Sequence, residues 1–173
     1  HGRQGFGETI GSSNNVDAIM DDSGETIIVW EDHRRDQHYS IYAQKISTDG
    51  ELLWGESGVK CAEFEFDQNH PKVASDGEGG AIIAWHAITD NDYYDIYMQR
   101  LDTDGVRLWG EVGIHISGNQ MDEIVEQIVP DGNSGATVLW EGRDRETDDD
   151  LFIQRVDSDG NSLRGGRRAG IVQ

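Results

Sequence analysis

The 173 residues are 35% hydrophobic, enough to bury one core, and the length favours a single domain. Acidic residues outnumber basic ones 34 to 14, and the formal charge of -20 makes nucleic acid and anionic membranes poor partners. Cys61 stands alone, which rules out an internal disulfide, and no apolar stretch approaches the roughly 20 residues that a membrane helix needs.

Taken in chain order, residues 1–15 read as a leading strand or linker, and His in place of Met at position 1 reads as a processed product. Three repeats follow over about 16–70, 71–125 and 126–173. Each has a short first segment that ends in a turn, as in "PKVASDGEGG", and then a continuous apolar run closed by tryptophan. The runs are "TIIVW", "AIIAW" and "ATVLW", closing at Trp30, Trp85 and Trp140, so both 85 − 30 and 140 − 85 equal 55. A continuous apolar run of this length predicts a strand buried on both faces.

A polar stretch that varies between repeats comes next, followed by "IYAQKI", "IYMQRL" or "LFIQRV" at the same step of 55. Then come Asp49-Gly50, Asp104-Gly105 and Asp159-Gly160, and after them Trp54, Trp109 and, in the third repeat, Arg164. A last apolar piece such as "GIHIS" completes the unit, in which Cys61 takes the place of Ile116 and reads as a small buried apolar residue. The pattern is four short antiparallel strands per repeat with no helical periodicity, an all-β chain.

The segment "DTDG" at residues 102–105 raises the question of a calcium loop. With Gly105 as the central glycine of such a loop, the first ligand position falls on Arg100, and its counterparts are Lys45 and Arg155. A cation in that place defeats the site, and what all three copies keep is the Asp-Gly of a tight turn.

"STDGELLW" resembles the Asp-box of sialidase-type propellers, lacking the residue between Asp and Gly. The unit "SDGEGGAIIAWHAITDNDYYDIYMQRLDTDGVRLWG" is similar to the repeats of bacterial extracellular β-propellers. The resemblance implies propeller blades and an extracellular or cell-surface setting, and it implies no single activity. A threefold β-trefoil or β-prism is the rival, because three equal copies already close those folds. Propellers usually close with about four to eight blades, so three imply a homo-oligomer, a growing assembly or further blades of a longer chain. Arg143, Arg145, Arg155, Arg164, Arg167 and Arg168 supply six of the fourteen basic residues, and a basic end on an acidic body favours head-to-tail contacts.

The variable stretches, "EDHRRDQHYS", "HAITDNDYYD" and "EGRDRETDDD", are where such a scaffold carries function. Asp90, Asp92 and Asp95, and likewise Asp148, Asp149 and Asp150, are dense enough to hold a hard cation such as calcium, or else form a solvated acidic loop. Tyr39, Tyr93 and Tyr94 suit stacking on a glycan, or else cover strand ends. Glu31 and Glu141 share one repeat position and are the candidate carboxylates of a glycosidase-like pair. Trp30, Trp85, Trp140, Trp54 and Trp109 read as structural core. No catalytic constellation is recognisable, so the expected role is a non-enzymatic binding or self-assembly module. A lectin-like or glycoside-hydrolase-related propeller and a calcium-stabilised repeat are the alternatives.

Overall fold

The computed structural model describes residues 13–34, 38–90, 92–118, 120–143 and 149–169. Among them there are no helices, and twelve strands form three four-stranded antiparallel sheets, each ordered as its strands follow in the chain. The first sheet holds β1 (Ser13–Met20), β2 (Thr26–Asp32), β3 (Ser40–Ile46) and β4 (Val59–Lys60). The second holds β5 (Gln68–Ser75), β6 (Ala81–Ile88), β7 (Tyr94–Leu101) and β8 (Ile114–His115). The third holds β9 (Asp122–Pro130), β10 (Ala136–Arg143), β11 (Asp150–Val156) and β12 (Ser162–Ala169).

The fourth strand is where the repeats diverge. In the first two sheets the segments before Trp54 and Trp109 make only isolated bridges, Ile46 to Leu52 and Leu101 to Arg107. Pairing resumes further on, at Val59–Lys60 and Ile114–His115. In the third sheet β12 runs for eight residues along β11, from Ser162 opposite Val156 to Ala169 opposite Leu151.

Strand periodicity decides where the core lies. On β6, Ala81, Ile83, Trp85 and Ala87 join Ile27, Val29, Ile41 and Ala43 of the first sheet in one buried cluster. Ile82 and Ala84, on the opposite face of β6, join Ala136, Val138 and Trp140 of the third sheet in another. The face that each of the first two sheets turns toward its successor is its leading face, the face that each of the last two turns toward its predecessor is its trailing face, and the middle sheet is buried on both. Each fully buried isoleucine contributes about 1.5–3 kcal/mol relative to exposure, which makes these two junctions the main apolar stabilisation. The first strands also meet, β1 against β5 and β5 against β9.

Two turns in each repeat are built on an acidic or hydroxyl side chain. Asp102 Oδ1 accepts from the backbone N–H groups of Asp104 and Val106, and Asp157 Oδ1 accepts from those of Asp159 and Asn161. Ser47 Oγ accepts only from Glu51 N–H at the matching position. The positive φ of this turn falls on the glycine, 88° at Gly50, 80° at Gly105 and 81° at Gly160, and not on the preceding aspartate. The residue that organises the turn is thus the one two places before Asp-Gly.

Candidate functional site

The side chains that repeat most faithfully tie one sheet to the next. Asp21, Asp76 and Asp131 stand at steps of 55. Each uses Oδ1 to hold the turn between its first two strands, accepting from Ser23 and Glu25, from Glu78 and Gly80, or from Asn133 and Gly135. Each uses Oδ2 to hold a cation on the third strand: Lys45 at 3.0 Å, Arg100 at 2.9 Å and Arg155 at 2.8 Å. Burial alone would raise the Asp21 carboxyl, but its bonds from Ser23 and Lys45 outweigh that and keep it below its ordinary value.

In the first two sheets the cation also reaches forward. Lys45 Nζ donates to Gly79 O in the second sheet at 2.6 Å, and Arg100 donates to Ser158 O in the third at 3.4 Å. The indoles do the same, Trp54 Nε1 to Thr103 O and Trp109 Nε1 to Ser158 O, both at 3.0 Å. Gln44 and Gln99 brace these cations and indoles. The Oε1 of each accepts from the next residue's N–H and from the indole residue's N–H, while Nε2 donates to Gly55 O or Gly110 O. None of these aspartates, cations or glutamines was singled out from the sequence for such a role, although their step of 55 was available there.

Glu31 forms a second forward link. It is buried, accepts from Asn15 Nδ2 at 2.7 Å, and accepts at 2.6 Å from the N–H of His70, which sits in the β5 bulge at φ 51°. The second repeat has His86 in this place, stacked on the His70 ring at 4.9 Å and edge-on to Tyr94 at 5.0 Å. Burial, and then the neighbouring His70, push the His86 imidazole down to about 3, so it is held neutral.

The third repeat presents Glu141 at the same position, on a leading face that no described residue covers. Here Glu126, Glu141, Asp149, Asp150 and Leu151 line an open hollow of about 310 Å³. Arg143 partly neutralises it, bonding Glu141 at 3.0 Å and lying 3.9 Å from Asp149. This hollow brings together three of the residues singled out from the sequence, Glu141, Asp149 and Asp150, and Asp148 lies outside the described residues.

The other residues singled out from the sequence are dispersed. Asp95 turns inward to His115, at 3.2 Å, and to Thr89, and burial raises its carboxyl although His115 pulls the other way. Asp90 and Asp92 lie in the connection that leads to it, Asp92 at φ 61°. Among the described residues, no three His, Cys, Asp or Glu side chains gather as a metal site. Tyr39, just before β3, lies tilted against His33 with ring centres 4.9 Å apart and ties its backbone to Asp67 and Gln68, whereas Tyr94 on β7 sits against His86, so these two tyrosines belong to different repeats. Tyr93 bonds through its carbonyl to Thr89 N–H. Glu31 and Glu141 belong to the first and third sheets, with the second between them. Trp30, Trp54, Trp85, Trp109 and Trp140 are all buried, and so is Cys61.

Among the described residues no helix is long and apolar enough to cross a membrane. The chain matches no protein-family model, no curated protein and no solved structure.

Proposed function

We propose that the chain is a non-enzymatic β-repeat module of three propeller-type blades, extracellular or at a cell surface, that binds or assembles through its open sheet faces. The observation that carries this reading is the contrast between the sheets. The second is sealed on both faces by its neighbours, while the first and third each keep one apolar face that no sheet among the described residues packs against, with Arg34 lying over Trp30 and Tyr42 on that of the first. The order of packing supports blades over a trefoil or prism. Among the described residues both buried clusters join sheets that follow one another in the chain, whereas a threefold closed fold needs a third such cluster between the last sheet and the first.

Glycan binding is the second reading, and the carboxylate hollow on the third sheet is what favours it, since carboxylate oxygens suit sugar hydroxyls. A glycan array and a turnover assay on the same panel separate the two. The module reading expects no hydrolysis, and turnover of any glycan would refute it. Array hits that vanish in Glu141→Gln would move the function to the hollow.

A further inference from the structure

The internal repeat identifies what the two open faces fit. On the leading face, Ile27, Val29, Ile41 and Ala43 of the first sheet correspond to Ile82, Ala84, Ile96 and Met98 of the second. Both sets are buried against a following sheet. The third sheet carries Thr137, Leu139, Leu151 and Ile153 at these positions, all only partly buried, with Val129 exposed beside them.

On the trailing face, Ile83, Trp85, Tyr97 and Leu101 pack back against the first sheet, and Val138, Trp140, Phe152 and Val156 pack back against the second. The first sheet has Ile28, Trp30, Tyr42 and Ile46 there, Trp30 buried and the other three partly buried. Arg34 lies over this pair of rings, 3.8 Å from the centre of Tyr42 and 5.9 Å from that of Trp30.

The polar links are cut off at the same two edges. Lys45 and Arg100 side chains are 2% and 8% exposed because the next sheet covers them, whereas Arg155 is 50% exposed, with Asp131 as its only anchor among the described residues. Glu31 takes the N–H of His70 in the following sheet. Glu141 has the same place in its own repeat, and the counterpart of His70 is Asn15, which carries the same unusual bulge conformation, φ 43° against 51°.

We propose that the leading face of the third sheet docks on the trailing face of the first sheet in a second copy of this chain, repeating across molecules the junction already made twice within one. In this junction Arg155 reaches the carbonyl of Gly24 in the second copy, as Lys45 reaches Gly79. Glu141 accepts from the N–H of Asn15 in the second copy, as Glu31 accepts from His70. The contact is head-to-tail, because the two faces differ, so two copies close a ring only if both use both faces. This inference rests on the reading of the open faces as interaction surfaces, and it names their partner.

The test is the solution mass of the full chain by light scattering, for the wild type and for two variants, Ile28→Asp on the trailing face and Leu139→Asp on the leading face. Circular dichroism controls for folding, and Arg155→Glu serves as a milder substitution on an exposed side chain. The expected result is a species of two or more chains that each substitution reduces to single chains. Mixing Ile28→Asp with Leu139→Asp should restore a two-chain species, because one intact junction remains between unlike variants. A wild-type monomer, or substitutions that leave the mass unchanged, would overturn the proposal. The dye anilinonaphthalene sulfonate separates two kinds of failure. A monomer that binds it strongly retains open apolar faces for another partner, so only the second-copy proposal falls. A monomer that does not bind it removes the interaction-surface reading as well.

Discussion

His86 provides a sharp test of how the second sheet is packed, because its ring is 4% exposed and held neutral between His70 and Tyr94. Its folded value of about 3 lies below the ordinary 6.5. Below 6.5 the unfolded chain takes up a proton that the folded chain refuses, so this contribution is present above 6.5 and is lost as the pH falls toward 3. At about pH 4.5, roughly two units below the unfolded value, the loss amounts to about 2.7 kcal/mol at 1.36 kcal/mol per unit, or about 1–3 kcal/mol once local relaxation is allowed. For a domain of this size that corresponds to a drop in melting temperature of roughly 2–12 °C.

The perturbation is His86→Phe, which keeps an aromatic ring against His70 and Tyr94 but does not titrate. The measurement is the urea midpoint of wild type and variant at about pH 7.5 and about pH 4.5. Acidification also protonates many carboxylates, but these are common to both proteins, so the difference between the two pH responses isolates His86. The wild type should lose about 1–3 kcal/mol more than the variant. Equal losses would show that His86 is solvated or freely protonated in the fold and would refute the packing argument.

The links between sheets yield three further expectations. Arg100→Met leaves buried Asp76 without its cation and should cost about 3–5 kcal/mol in urea unfolding, whereas Arg107→Met, at the more exposed pair with Glu63, should cost under about 1 kcal/mol. Similar costs for the two would show that the Asp76 pair is not desolvated. Gln99→Leu orphans the amides of Arg100 and Trp109 and the carbonyl of Gly110, and should cost about 2–4 kcal/mol by the same assay, with a neutral result contradicting the bracing role. Removing divalent cations with a chelator should leave the melting temperature unchanged, because the turn carboxylates Asp102, Asp131 and Asp157 already accept backbone N–H groups. A fall of several degrees would place a cation among the carboxylates after all.

Much of the architecture is legible in the sequence because a repeat without insertions projects the same local physics three times. The runs closing at Trp30, Trp85 and Trp140 specify the second strands, but burial on both faces, expected for all three, holds only for "AIIAW"; Ile28 on β2 and Thr137 and Leu139 on β10 are partly buried because no sheet among the described residues packs against that face. The glycine of each Asp-Gly marks the turn, since its positive φ is cheap only for glycine. The site was less legible. Glu31 and Glu141 are the same residue at the same repeat position, and Asp21, Asp76 and Asp131 read as ordinary turn aspartates. Sequence spacing says nothing of the second oxygen that holds Lys45, Arg100 or Arg155.

What the sequence determined by itself is the strand order, the period of 55 and the local turns, all set by interactions within a few residues or across adjacent strands. What only the tertiary structure decided is the fate of each equivalent side chain. Lys45 and Arg100 are buried and reach the next sheet, while Arg155 stands half in solvent. Glu31 is consumed by His70, while Glu141 opens onto a hollow. The difference lies in what stands opposite, because desolvation and forward hydrogen bonds require a following sheet, and the third sheet has none among the described residues.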